Sequence, residues 1–153
     1  MSELLFYHLE RQTLEQVLPT LLEKTLERGL KAVVQVTSQE RLEGLDAHLW
    51  TYRDEAFLPH AAKGDARFAH NAAEQPIWLT DEAETPNAAE VLFLVEGAAR
   101  PELDSFQRCV FLFDGRDEES LAQARQQWAG LKDSAHELTY WQQSEDGKWE
   151  QKA

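Results

Sequence analysis

The sequence has few of the residues and patterns that mark several common classes of protein. Its 153 residues include one cysteine, Cys109, so no disulfide can form within the chain, and a lone thiol fits a reducing compartment. No apolar run approaches the roughly 20 residues that cross a bilayer. The first residues also lack the basic and apolar regions of a signal peptide. These absences predict a cytoplasmic protein with no membrane partner.

Basic residues are scarce as well. Lys and Arg total 15 against 28 Asp and Glu, which gives a formal net charge of −13. Binding to a phosphate backbone depends on neutralising its charge with cationic side chains, and an acidic chain repels that backbone. We therefore expect no direct binding of nucleic acid, and any role at DNA would require a partner protein.

The patterns of common catalytic and ligand sites are missing too. Neither GxGxxG nor GxxxxGK[ST] occurs among the seven glycines, so no phosphate-binding loop is predicted. The five histidines are scattered, and none pairs at metal-ligand spacing. Asp81, Glu82 and Glu84 could attract a cation, but such a charge run is usually plain surface. No residue is predicted to be catalytic, and no cofactor is predicted.

Strand-like and helix-like segments alternate along the chain. Helical spacing of apolar residues is found from Thr13 to Gly29, after Ser38, and over Asp117–Leu131. Short apolar or β-branched runs predict strands between them, at Leu4–Leu9, Ala32–Val36, Ile77–Thr80, Val91–Glu96, Cys109–Phe113 and Leu138–Gln143. Strands separated by helix-length segments predict an α/β sandwich with a largely parallel sheet. With no second core and no repeat, we expect residues 1–153 to form one domain and residues 144–153 to be an acidic, flexible tail.

Local signals refine the first two helices. Thr13 and Gln16 have the spacing of a capping box, and Ser38 is placed to cap the second helix. Pro19 lies inside the first helical pattern. We expect it either to kink that helix or to lie in an early turn.

Two groups of residues stand out as candidates for binding other proteins. The first is Trp50 with Phe57 and Leu58, which are either core side chains after a helix or aromatic and aliphatic anchors of an interface. The second is Arg125, Trp128 and Lys132, whose offsets of three and four place them on one helix face if the helix is not ended by Gly130. The alternative for this second group is a core Trp beside a surface cation.

The order and spacing of several motifs resemble the chi subunit of bacterial DNA polymerase III holoenzyme. The resemblance is carried by Phe6-Tyr7, Lys31–Val36, the segment Leu45–His60, Ala124-Arg125 and Trp128. It implies a Rossmann-like three-layer sandwich and a noncatalytic accessory subunit of the clamp-loader complex.

The resemblance also implies partners for the two groups. Trp50, Phe57 and Leu58 correspond to the surface that binds psi, the small clamp-loader subunit. Arg125, Trp128 and Lys132 correspond to the site for the acidic, Phe-terminated tail of single-stranded DNA-binding protein. Ala129 stands where relatives often have a Lys, which removes one cation. Two other functions stay open, namely an enzyme that binds a nucleotide or small ligand, and an adaptor for a repair helicase.

Overall fold

The computed structural model describes residues 2–51, 58–68, 71–100, 102–146 and 148–153. In these ranges the helices are α1 (Leu14–Glu27), α2 (Gln39–Thr51) and α3 (Glu118–Leu131). The strands are β1 (Glu3–Leu9), β2 (Ala32–Gln35), β3 (Ala61–Ala62), β4 (Ile77–Thr80), β5 (Val91–Val95), β6 (Arg108–Asp114), β7 (Glu137–Gln143) and β8 (Trp149–Gln151). None of the described helices is long and apolar enough to cross a membrane.

The strands form one eight-stranded sheet in the order β3-β4-β2-β5-β6-β1-β7-β8. All neighbouring pairs are parallel except β7 and β8, which are antiparallel. Helix α1 connects β1 to β2, and α3 connects β6 to β7. The predicted α/β class, with a largely parallel sheet and a Rossmann-like arrangement, is confirmed.

The helices divide between the two faces of the sheet. Helices α1 and α2 cover one face, where Leu18, Leu22 and Leu45 pack on Val34 and Leu112. Helix α3 covers the other face through contacts with core residues such as Phe6, Phe111, Cys109, Ala124 and Trp128. Successive residues of a strand point to opposite faces, so each buried strand contributes to both cores. This gives the three layers.

The predicted helix caps are present. The backbone N–H of Thr13 donates to Oε1 of Gln16 at 2.9 Å, and the N–H of Arg41 donates to Oγ of Ser38 at 3.1 Å. These bonds satisfy N–H groups that have no partner within a helix. They fix where α1 and α2 begin.

Pro19 is the sixth residue of a continuous α1, so it lies inside the helix and early in it. A proline has no N–H, so the carbonyl of Glu15, four residues earlier, loses its usual donor. Nε2 of His48, on α2, approaches that carbonyl oxygen at 2.7 Å. A carbonyl only accepts, so His48 donates the hydrogen bond that Pro19 cannot.

The end of the chain also differs from the predicted flexible tail, since residues 149–151 form β8. The N–H of Ser144 donates to the carbonyl of Lys148 at 2.7 Å, which closes the turn between β7 and β8. The ring of Trp149 lies 4.8 Å from that of Tyr7. Strand pairing and the contact between Trp149 and Tyr7 therefore hold this acidic segment against the sheet.

Candidate protein-binding surfaces

Helix α3 brings Arg125, Trp128 and Lys132 together on one face. The helix runs through Gly130 to Leu131, and Lys132 follows with φ −55° and ψ −38°, so helical spacing extends to this residue. Arg125 and Lys132 are exposed, whereas Trp128 is half-buried. In the described part of the chain, no carboxylate forms an ion pair with either cation. These three residues, with Tyr140 behind them, are called the α3 surface.

The ring of Trp128 is held by the aromatic side chains beneath it. It meets Phe6 edge-on, with centroids 5.2 Å apart, and Tyr140 edge-on, with centroids 5.9 Å apart. Edge-to-face pairs of this kind add about 0.5–1.5 kcal/mol beyond the area they bury. Trp128 is therefore part of the core, and it also presents apolar surface one helical turn from Arg125.

Two residues at this surface were missed by the sequence reasoning. Nδ1 of His8 lies 2.7 Å from the hydroxyl of Tyr140, and Nε2 of His8 lies 3.1 Å from Oε1 of Glu10. Burial raises the pKa of Tyr140, and the positive charge of Arg125 opposes that rise. Tyr140 is thus a neutral phenol near neutral pH, fixed in place by His8. The available signal was strand alternation, which places His8 and Tyr140 on the same face as Phe6.

Trp50 forms a second surface near the end of α2. With 37% of its surface exposed, it is the large hydrophobic side chain that the described residues leave open to solvent. One contact of its ring is with the imidazole of His60, at 4.3 Å between centroids. The guanidinium of Arg67 lies 5.7 Å from the centroid of Trp50. Trp50, His60 and Arg67 are called the Trp50 surface.

The residues that follow α2 support Trp50 from below. The side chain of His60 is fully buried, with Nδ1 at 2.7 Å from the carbonyl oxygen of Leu58 and Nε2 at 3.1 Å from Oδ1 of Asp46. Leu58 is 2% exposed and belongs to the core. It therefore offers no surface for contact in the isolated chain. Phe57 lies outside the described residues.

The crevice at the carboxyl ends of β1 and β6 is where Rossmann-like folds usually bind ligands. It holds a cavity of about 220 Å³. Arg41 forms ion pairs there with both Glu15 and Glu96, so carboxylates of the chain itself occupy this guanidinium. A methyl group on Gly115 at the same edge would overlap the imidazole of His8. The crevice thus has a glycine for internal packing and no phosphate-binding loop.

The other residues considered for chemistry have structural partners. Nζ of Lys63 pairs with Asp81 at 2.9 Å and with Glu82 at 3.2 Å, while Glu84 accepts hydrogen bonds from Trp78 and Thr80. No group of three or more possible metal ligands occurs within the described ranges. Burial raises the pKa of the Cys109 thiol to about 12. A thiol held in its neutral form is a poor nucleophile.

Comparisons with known proteins agree with the family resemblance described from the sequence. Residues 1–139 match the family described as DNA polymerase III chi subunit, HolC. A protein of Rickettsia prowazekii, called "Probable DNA polymerase III subunit chi", is 34% identical over 95 residues. The matched region covers 62% of this chain and 55% of that relative, so the chain spans about half of the relative's length.

Proposed function

The chain belongs to the DNA polymerase III chi subunit family, and we propose that it is a noncatalytic adaptor of the clamp-loader complex. One surface binds psi, and another binds the acidic C-terminal tail of single-stranded DNA-binding protein. The polymerase reaction belongs to the complex, and the adaptor works in the cytoplasm, where replication takes place. A tether of this kind raises the effective concentration of the polymerase at its template without any new catalytic contact.

The observation that carries the proposal is the pairing of charge and apolar surface on α3. A tail that ends in Phe after several acidic residues needs a guanidinium to bind its carboxylates and an apolar surface on which its ring can pack. Arg125 is exposed, and it lies one helical turn from the half-buried Trp128. Lys132 adds a second cation on the same face. In a chain of net charge −13, this local charge makes binding modest and sensitive to salt.

Psi is assigned to the Trp50 surface. Exposed aromatic side chains are enriched among the residues that dominate interface energies. Trp50 is held by the ring of the buried His60, so binding costs little additional side-chain ordering. The proposal also assigns Phe57 to the contact with psi, and the buried Leu58 supports the Trp50 surface from the core.

The position of the two helices supports simultaneous binding. Helix α2 packs on one face of the sheet and α3 on the opposite face. A partner at Trp50 and a partner at Arg125 are therefore separated by the sheet itself. This separation is what an adaptor requires, because its two ligands must not compete.

The test is a pair of variants that each disable one surface. We expect Trp50→Ala to lose co-purification with psi, since a truncated aromatic anchor typically costs about 2 kcal/mol or more in binding. The same variant keeps its affinity for a synthetic Phe-terminated tail peptide in calorimetric titrations. Glu40→Ala, at the exposed start of the same helix, is the matched control and keeps psi.

Arg125→Ala has the opposite effect. It weakens the binding of the tail peptide by about 1.5–3 kcal/mol, the scale of a hydrogen bond to a charged partner, and leaves the binding of psi unchanged. Arg116→Ala, another exposed cation, is the control. Ala129→Lys restores the cation found in relatives, so it strengthens binding and steepens the salt dependence. If Arg125→Ala binds the peptide as the parent does, the tail site lies elsewhere.

A further inference from the structure

A groove on the α1 side of the sheet is used by neither of the two surfaces above. It has a volume of about 360 Å³ and opens between α1 and the strands β1, β7 and β8. Its aromatic wall consists of Tyr7, Trp141 and Trp149, with the Tyr7 ring 6.4 Å from Trp141 and 4.8 Å from Trp149. All three are half-buried, so the wall still presents apolar surface to solvent.

Three cations lie at one end of this groove. Lys24 and Arg28 are exposed near the end of α1, and Arg108 stands at the start of β6. Arg108 pairs with Glu3 at 3.5 Å, whereas no carboxylate within the described ranges pairs with Lys24 or Arg28. Arg28 and Arg108 line the same cavity as the aromatic wall. Burial raises the pKa of the Tyr7 phenol, and the charges of Arg108 and Arg28 oppose that rise.

A purely structural role explains part of this arrangement. Cations in the last turn of a helix interact favourably with its carbonyl groups, which accounts for Lys24 and Arg28. It does not account for Arg108, which belongs to a strand, or for two partly exposed Trp rings beside the cations. Aromatic and cationic groups that converge on one cavity are the usual composition of a binding site.

The dimensions and charge favour one kind of occupant. The lining residues of α1 run from Gln16 to Arg28, which corresponds to about 18 Å at the helical rise. An extended peptide of roughly five or six residues has this length. Glu3 neutralises part of the charge of the three cations, so the remaining positive charge matches one or two carboxylates of a ligand. A nucleoside triphosphate carries more negative charge, which a protein of net charge −13 disfavours.

We propose that this groove binds an extended acidic segment of a partner protein. One or two carboxylates of the segment contact Lys24, Arg28 and Arg108, and its apolar side chains lie on Tyr7, Trp141 and Trp149. The site is independent of the proposed tail site, because Trp128 and Tyr140 face the opposite side of the sheet. It requires no free C-terminus in its ligand.

The experiment uses the full chain labelled with ¹⁵N and a blocked hexapeptide. The peptide has two aspartates followed by leucine and phenylalanine residues, and it is acetylated and amidated so that it cannot imitate a Phe-terminated tail. We expect the indole N–H signals of Trp141 and Trp149 to shift on titration, with the signals assigned by the single variants Trp128→Phe, Trp141→Phe and Trp149→Phe. The signal of Trp128 stays in place.

Charge variants give the decisive comparison. The double variant Lys24→Gln with Arg28→Gln lowers the affinity for the peptide by about tenfold or more, the scale of one lost charge-assisted hydrogen bond. Arg11→Gln with Arg116→Gln removes the same charge from exposed residues outside the groove and retains the affinity for the peptide. Equal binding by both double variants overturns the proposal. So does the absence of a shift at Trp141 and Trp149 with millimolar peptide, or a shift confined to Trp128. A shift with a nucleoside monophosphate but not with the peptide also overturns it.

Discussion

Gly115 shows how one residue can set the geometry of the α3 surface. It follows β6, and a side-chain carbon at this position would overlap the imidazole of His8. His8 in turn holds the hydroxyl of Tyr140 at 2.7 Å, and Tyr140 supports the ring of Trp128. The absence of a side chain at Gly115 therefore leaves the space in which His8 orients Tyr140.

Gly115→Ala is expected to destabilise the fold by about 1–3 kcal/mol, the usual cost of overpacking. Gly130→Ala is the matched control, because Gly130 lies in α3 with no atom within 4 Å of the added carbon. That control should stabilise the fold by about 0.5–1 kcal/mol, since glycine is a poor helix former. Urea unfolding of both variants measures the difference. Equal stabilisation by the two substitutions would show that His8 moves aside at no cost.

The residues of the α3 surface could be predicted only in part. Arg125, Trp128 and Lys132 are close in sequence, so helical spacing was enough to group them. Tyr140 and His8 are 132 positions apart, and only the parallel pairing of β1 with β7 brings them together. Trp50 and Leu58 were predicted as members of one group, but nothing local separates the exposed ring of Trp50 from the buried Leu58 eight residues later. Burial depends on contacts that the sequence alone does not fix.

At the scale of elements, a hydrogen bond links α1 and α2, in addition to the ion pair between Arg41 and Glu15. His48 donates to the carbonyl of Glu15, which Pro19 leaves without an intrahelical donor. A buried acceptor without a partner costs about 1–3 kcal/mol. The carbonyl of Glu15 is partly buried, so the bond from His48 offsets part of the cost of a proline in mid-helix. It also ties the helix that carries Trp50 to the first helix of the fold.

A double-mutant cycle isolates this bond. His48→Ala should destabilise the parent by about 1–3 kcal/mol. In a Pro19→Ala background, residue 19 supplies its own N–H to Glu15, so the same substitution should cost about 1 kcal/mol less. Chemical denaturation of the four proteins gives the coupling. An identical cost of His48→Ala in both backgrounds would mean that His48 does not replace the missing donor.

Most elements were predictable because their apolar residues repeat at helical or strand spacing. The exceptions are elements whose structure depends on contacts between residues far apart in the sequence. β8 contains one large apolar residue, Trp149, within an acidic stretch, and becomes a strand because it pairs with β7 and contacts Tyr7. Pro19 can lie inside α1 because His48, 29 positions later, donates to the carbonyl of Glu15. The spacing of apolar residues in a helix does not reveal such a contact.

On the scale of the whole molecule, the charge of −13 opposes direct contact with DNA. Cations that follow a nucleic acid backbone must be numerous and aligned. The exposed cations of the two sites above, Arg125 with Lys132 and Lys24 with Arg28, form small groups instead. We expect the isolated protein to leave the fluorescence anisotropy of a labelled single strand unchanged at low salt. Tight, saturable binding in that measurement would contradict indirect contact through a partner.

The central claim is that one molecule joins two partners through separate surfaces. Sedimentation velocity of the chain mixed with psi and with single-stranded DNA-binding protein tests it most directly. The account predicts one complex that contains all three proteins, reduced to a pair by Trp50→Ala or by Arg125→Ala, with a different partner lost in each case. Competition between psi and single-stranded DNA-binding protein for the chain, or loss of both partners from either variant, would contradict it.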